Sequence, residues 1–256
     1  MKKTNISIVG SGNVATHLAL ALFGAGCTIR QILSRSFEHA QMLARRVDAQ
    51  PINQWQRLDE DADVYLFAVS DNALFDLALD LRLRDALVIH TSGTTPITVL
   101  KPVSRRHGVL WSPQTFVRDI AMDYRKLPLC IEGCTPEVTD AIERLASLIS
   151  PCIHRLDYSQ RLRAHLAAVW VSNFVNAINA TAQDLMHQEG LDFEMLRPLA
   201  DQTLRKWDYG DLWFQQTGPA IRRDERTLNA QRRQLLDQPD LLALYDQLTD
   251  LIQKKT

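Results

Sequence analysis

The chain has 256 residues, 46% of them hydrophobic and 23% charged, with ten glycines and ten prolines. That is material for one large domain or two unequal ones with cores of their own, and it excludes a disordered or collagen-like chain. Lys plus Arg total 29 and Asp plus Glu 30, a formal charge of -1, which argues against a nucleic-acid coat or a polybasic membrane anchor.

No apolar run approaches the roughly 18 residues that span a bilayer. The opening MKKTNISIVGSGNVA places Gly10, Ser11, Gly12 and Asn13 where a signal peptide would carry apolar residues, so a cytoplasmic protein is expected. Cysteines 27, 130, 134 and 152 form no CxxC pair and no zinc-spaced cluster with histidine. Buried free thiols and no metal site are expected.

In chain order, strands are predicted at 6–10, 28–33, 63–69, 86–90, 108–111, 128–131 and 152–156. Helices are predicted between them at 14–23, 37–46, 73–81 and 137–149. Strands alternating with helices of this length imply a mainly parallel sheet covered on both faces. The run Val64-Tyr65-Leu66-Phe67-Ala68-Val69 has no polar alternation, as befits an internal strand. After Asp157 the rhythm changes. No proline or glycine occurs from Tyr158 to Glu189, and apolar residues recur at helical spacing, so one helix of about 30 residues closed by Gly190 is predicted. Further helices are predicted at 192–206, 224–236 and 239–252, with Pro239 in a first turn. The expected class is α/β: a Rossmann-like, mainly parallel sheet domain over 1–157, then a smaller all-α domain over 158–256.

The sharpest motif is Gly10-x-Gly12-x-x-Ala15, entered from a strand and leading into a helix. Gly10 permits the tight turn, Gly12 lets backbone approach a pyrophosphate, and Ala15 keeps helix close to strand. The helix-start amides of Ser11, Gly12, Asn13 and Val14 would then face the phosphates. The second strand ends in Ser34-Arg35-Ser36, with no acid there to hold ribose hydroxyls; the first is Glu38. An arginine between two hydroxyls suits a 2′-phosphate, so NADP(H) is the expected cofactor. The competing reading makes Ser34 or Ser36 a helix cap and Arg35 a solvated side chain. Two more strand ends, Val69-Ser70 and His90-Thr91-Ser92-Gly93, point into the same crevice. Ser92 could touch cofactor or substrate, or simply make the turn.

Hydride transfer to a carbonyl or imine needs a group that stabilises or protonates the heteroatom. The long helix offers His165, Ser172, Asn173 and Asn176 near one face. For His165 a packed, hydrogen-bonded role competes with chemistry. Gln114 follows a strand end. Gln216-Thr217-Gly218-Pro219 precedes Arg222, Arg223 and Asp224, where Asp224 would cap a helix and the arginines would meet an acidic substrate or lie solvated. The cluster Asp59, Glu60, Asp61 and Asp63 reads as a solvated loop. No GxxxxGK[ST], HExxH, GxSxG or kinase signature is present.

The stretches VGSGNVA (9–15), AVSD (68–71), HTSG (90–93), SPQTF (112–116), IEG (131–133), HLAAVWVSNFVNA (165–177) and QTGPAIRRD (216–224) resemble the short-subunit dehydrogenase-like oxidoreductases. Those join a Rossmann-like NADP-binding domain to a helical domain of unknown function 2520. That family is similar to pyrroline-5-carboxylate reductase and the 6-phosphogluconate dehydrogenase group, which pair the same two kinds of domain and often dimerise through the helical one. The resemblance implies cofactor contacts at Gly10, Gly12, Ala15 and Ser34 to Ser36. It also implies a cleft lined by Ser92, Gln114, His165, Asn173, Thr217, Arg222 and Asp224. Broader relatives carry a catalytic lysine on the interdomain helix; here no lysine occurs between Lys126 and Lys206, and Gln231 stands where family members commonly have histidine.

The resulting expectation is an NADP(H)-dependent oxidoreductase for a small carbonyl or imine compound. His165, Asn173 and Ser92 are the chemical residues. Gly10 to Ala15, Ser34 to Ser36, Val69, Ser70 and Thr91 hold cofactor, and Gln114, Asn176, Thr217, Arg222 and Asp224 form the substrate cleft. The alternative is a non-catalytic NADP(H) sensor or scaffold. The apolar long helix implies a homodimer, and neither nucleic acid nor membrane is an expected partner.

Overall fold

The structure is a computed structural model that describes residues 3–118, 120 and 122–255. Packing divides the chain into two compact units, Met1–Ala177 and Ile178–Thr256.

The first unit is built on one eight-stranded sheet: β1 (Asn5–Val9), β2 (Thr28–Leu33), β3 (Gln50–Ile52), β4 (Val64–Phe67), β5 (Arg84–His90), β6 (Ser104–Trp111), β7 (Leu129–Gly133) and β8 (Ile153–Arg155). Their order across the sheet is β3-β2-β1-β4-β5-β6-β7-β8. Every described pairing is parallel except β6 with β7. The chain leaves β1 toward β2 and returns on its other side at β4, so the order reverses between β1 and β4. A crevice opens beyond the strand ends at such a reversal. Four helices cover this sheet: α1 (Asn13–Gly24), α2 (Phe37–Arg46), α3 (Asp71–Asp80) and α4 (Pro136–Ala146).

Both faces of the central strands are dry, and the two-residue pleat sorts their side chains. Ile6, Ile8 and Leu66 pack with Leu18, Leu22, Leu43 and Ile142 on one side. Val9, Tyr65, Phe67 and Val88 pack with Leu74, Leu81 and Leu100 on the other. The predicted elements of this unit are all present, with ends shifted. β6 starts at Ser104 because exposed Arg105 and Arg106 still continue the ladder. α3 starts at Asp71, directly after Ser70. The three-residue edge strand β3, with Pro51 inside it, was not predicted.

The long helix begins at Asp157, whose carboxylate accepts from Gln160 N while the Gln160 side chain accepts from Asp157 N. It runs as α5 (Tyr158–Val169), a π-helical turn (Trp170–Phe174) and α6 (Val175–Gln188). Gly190, at φ +68°, follows its end as predicted. The π turn was not foreseen; one residue added to a helical turn rotates everything after it.

The second unit holds the rest of α6, then α7 (Arg197–Arg205), α8 (Pro219–Arg222), α9 (Glu225–Arg233) and α10 (Pro239–Lys255). Of its described residues only Ala220, Leu228, Leu235 and Thr249 are buried. No described helix is long and apolar enough to cross a membrane. Cys27 and Cys130 are buried and Cys134 and Cys152 half-buried, all four as free thiols.

Candidate functional site

The glycine turn between β1 and α1 is fixed by two different constraints. Gly10 has φ +122°, and a Cβ on it would stand 2.1 Å from the Ala68 carbonyl oxygen, so the fold itself demands glycine. Gly12 has ordinary backbone, φ -76°, and a Cβ there would meet nothing within 4 Å. Nothing in the fold asks for its missing side chain; that space belongs to the cavity Gly12 lines. Gly12 caps α1 with no side-chain hydrogen bond, and no acid stands in the first turn. The α1 amides that lack intrahelical acceptors are therefore left for an outside anion.

A cavity of about 730 Å³ lies over this turn. Gly10, Ser11, Gly12, Asn13, Val14, Ser34, Arg35, Ser36, Val69, Ser70 and Thr91 all line it. Ala15 does not; it is fully buried beneath, in the core that joins α1 to the sheet. Ser11 donates to Ser34 across 2.8 Å, tying the glycine turn to the end of β2. Ser36 caps α2, accepting from His39 N at 3.3 Å, so the capping alternative holds for this serine. Arg35 is exposed and has no ion pair or hydrogen bond among the described residues. His39, Asn53 and Trp55 also line the cavity and were missed. His39 lies one helical turn beyond Arg35, a spacing that could have found it. Asn53 and Trp55 follow β3, which has no sequence signal.

Beyond Thr91 the loop folds on itself. Ser92 Oγ accepts from Thr94 N (3.1 Å) and Thr95 N (2.9 Å) and donates to Thr95 Oγ1 (3.0 Å). Its hydroxyl thereby makes the turn, the alternative reading that its sequence position allowed. Thr94 Oγ1 donates to Asp71 at 2.7 Å. Arg161, wholly buried on α5, donates to the carbonyls of Ser92 (3.0 Å) and Thr95 (2.9 Å) and pairs with Glu132 at 3.0 Å. His90 is buried too; desolvation, then the Arg161 charge, pushes its pKa down to about 3, so it stays neutral. It accepts from Ser92 N at Nδ1, while Nε2 has no partner among the described residues.

Val14 and Thr91 line both the large cavity and a second, smaller chamber of about 190 Å³. His165 forms part of its wall, tilted against Trp111 at 5.7 Å between ring centroids. A Cβ on Gly93 would lie 2.4 Å from the His165 ring and 2.9 Å from Trp111, so a bare backbone is what lets these rings sit there. Trp111, Ser112, Gln114 and His165 continue into an outer cleft that Ser172 and Asn173 also line. Thr115 and Ser172 hydroxyls lie 3.1 Å apart. Asn176 does not line it. The π turn breaks the seven-and-four spacing that put Asn176 on the face of His165, and its side chain is exposed.

The segment after β6 is pinned to the start of α1. Asn13 donates to the Phe116 carbonyl (2.9 Å), Arg118 to that of Ser11 (3.1 Å) and His17 Nε2 to that of Val117 (2.8 Å). Thr217, Arg222 and Asp224 belong to the second unit. There Asp224 caps α9, and hydrogen bonds from Thr227 hold its carboxyl below the usual range. Thr217 and Arg222 are exposed.

A parallel sheet reversing between β1 and β4, with an uncapped glycine turn over a cavity at the reversal, defines a Rossmann-like dinucleotide fold. Residues 1–112 match the Rossmann-like domain and residues 127–252 the Domain of unknown function (DUF2520). The chain belongs to the family that joins these two domains. It is similar to a candidate NADP oxidoreductase of Bacteroides fragilis, at 34% identity over 98% of both chains with a TM-score of 0.91. A Thermotoga maritima protein matches at 22% identity over 98% of this chain and 97% of its own, with a TM-score of 0.76. A reductive aminase from Aspergillus terreus, solved with NADPH and ethyl levulinate, matches at 18% over 99% and 93%, with a TM-score of 0.73. Among curated proteins none matches.

Proposed function

We propose that this protein is an NADP(H)-dependent oxidoreductase acting on a small carbonyl or imine compound. The observation that carries the reading is that Val14 and Thr91 line both a dinucleotide-sized cavity and a small chamber walled by an imidazole. The NADP oxidoreductase description of the 34%-identical relative supports it. When bound, the cofactor supplies or accepts a hydride. The α1 amides would hold the pyrophosphate, and unpaired Arg35 would take the 2′-phosphate. His165 would hold the proton that joins the substrate heteroatom as hydride reaches the adjacent carbon, so one hydride and one proton, two electrons and two hydrogens in all, are added across C=O or C=N. Gln114 would orient that heteroatom from the rim, with Asn173 in the outer cleft. Trp111, Leu110 and Phe116 would exclude water. Kinship with pyrroline-5-carboxylate reductase is supported by a fold likeness to the Coxiella burnetii enzyme, with a TM-score of 0.59.

We also propose a homodimer. The second unit buries few side chains, while Tyr209 is 72% and Phe214 87% exposed; Trp170, Val171 and Ile178 on the long helix are exposed as well. A second copy would cover this apolar surface.

The first test is equilibrium binding of NADPH and NADH, with Arg35→Ala alongside. NADPH should bind more tightly than NADH, and the variant should lose about tenfold or more for NADPH alone. Equal loss for both would remove the 2′-phosphate assignment. His165→Ala should then bind NADPH normally and lose turnover of small ketones or cyclic imines. Wild-type binding without turnover across the panel would favour a sensor.

A further inference from the structure

The small chamber and the outer cleft are unusual in what they lack. Among the described residues lining the two hollows, His165 is the one titratable side chain; no lysine, arginine, aspartate or glutamate lines either. The walls are apolar (Val14, Leu18, Leu110, Phe116, Leu129), aromatic (Trp111), or hydroxyl and amide groups. Arg161, four residues before His165, lines neither hollow; its two terminal nitrogens are held by the Ser92 and Thr95 carbonyls and Glu132 behind the Ser92 turn.

An anionic substrate group entering here would leave water without a cation to meet it. Such desolvation is uncompensated, and sites built for carboxylates or phosphates supply Arg or Lys against it. The imidazole does not fill the gap, since its proton belongs to the reacting heteroatom. Size narrows the choice further. An apolar cavity of about 150 Å³ admits benzene, and this chamber has about 190 Å³. That is room for one ring, or a branched chain of equal bulk.

We propose, resting on the oxidoreductase reading above, that the substrate is a ring-sized imine or ketone carrying no anionic group. Its apolar body lies against Leu110, Trp111 and Phe116 and its heteroatom faces His165 and Gln114. This separates the chain from its fold relative whose name specifies a carboxylate substrate.

The experiment compares two compounds that share one ring and differ by a carboxylate: 1-pyrroline and 1-pyrroline-5-carboxylate for NADPH consumption. Their reduced forms, pyrrolidine and proline, are titrated by calorimetry into protein saturated with NADP+. The member without the carboxylate should be favoured at least about tenfold in both readouts. Gln114→Arg, which adds a cation at an exposed rim position, should shift the preference about tenfold toward the acid. Equal or better binding of the carboxylated members to wild-type protein would overturn the inference, as would failure of both rings to bind while NADP+ still does. Preferred binding of pyrrolidine without any NADPH consumption would leave the inference standing and refute the oxidoreductase reading. Preferred turnover of the carboxylate would do the reverse.

Discussion

Two glycines two residues apart should respond to alanine in opposite ways, because one is required by the fold and the other by the ligand. At Gly10 the backbone sits at φ +122° and the added Cβ would lie 2.1 Å from the Ala68 carbonyl oxygen, a backbone atom that cannot swing aside. A residue forced into such a region costs about 1–3 kcal/mol before the clash is counted. Gly10→Ala should therefore lose about 3 kcal/mol or more in urea unfolding, with β1 and β4 forced apart at their ends. At Gly12 the backbone is ordinary and the space is open, so Gly12→Ala should change stability by no more than about 1 kcal/mol, the difference between these residues as helix caps. Its new methyl would stand where a pyrophosphate approaches the amides. Loss of one charge-assisted hydrogen bond is worth about 1.5–3 kcal/mol, roughly ten- to hundredfold in Kd. Urea titration of the free protein and fluorescence titration with NADPH read the two effects separately. Gly12→Ala that keeps full NADPH affinity would refute the phosphate-binding geometry. Gly10→Ala as stable as the parent would refute the packing argument.

Arg161→Met should destabilise the fold by about 3–5 kcal/mol, since it strands Glu132 and two carbonyls; Arg161→Met with Glu132→Gln should recover part of that in urea unfolding, and no recovery would mean the pair is not the cause. Neutral His90, with its pKa pushed down to about 3, makes stability depend on acid. Unfolded histidine takes a proton below about 6.5 while the native one does not, so this contribution is complete above about pH 6.5 and falls by about 1.4 kcal/mol per unit on the way to pH 3. His90→Asn keeps an acceptor for Ser92 N and should flatten the pH dependence of unfolding by that slope; an unchanged slope would place the titration elsewhere. Light scattering at micromolar concentration should return twice the chain mass, and Phe214→Glu with Tyr209→Glu should shift the protein toward monomer. A monomeric parent protein would remove the proposed dimer.

Much of the first unit could be read from local pattern. The continuous apolar run Val64 to Val69 marked a strand buried on both faces, and the spacing of Gly10, Gly12 and Ala15 marked the turn from β1 into α1, because both signals arise within a few residues. Arg35 could be read as lining the cavity for the same reason: it lies two residues past β2, whose end is positioned by the fold class. What local pattern could not supply was partnership. Ser92 offered the same hydroxyl whether it served a ligand or its own turn, and only the hydrogen bonds from Thr94 N and Thr95 N assign it to the turn. The face shared by His165, Ser172 and Asn176 assumed 3.6 residues per turn throughout, and a π turn at Trp170–Phe174 changes that count where no proline or glycine announces it. β3 is three residues long and holds a proline, too short for alternation to register. Trp55 reaches the cavity only because β3 pairs with β2. That no described lysine, arginine, aspartate or glutamate lines the chamber around His165 is likewise invisible along the chain, where arginines are frequent. It emerges when strand ends far apart in sequence are brought to one edge of the sheet and Arg161 is turned inward to Glu132. Sequence determines which residues are available near each strand end, and tertiary packing decides which of them keep a free polar group facing the cavity.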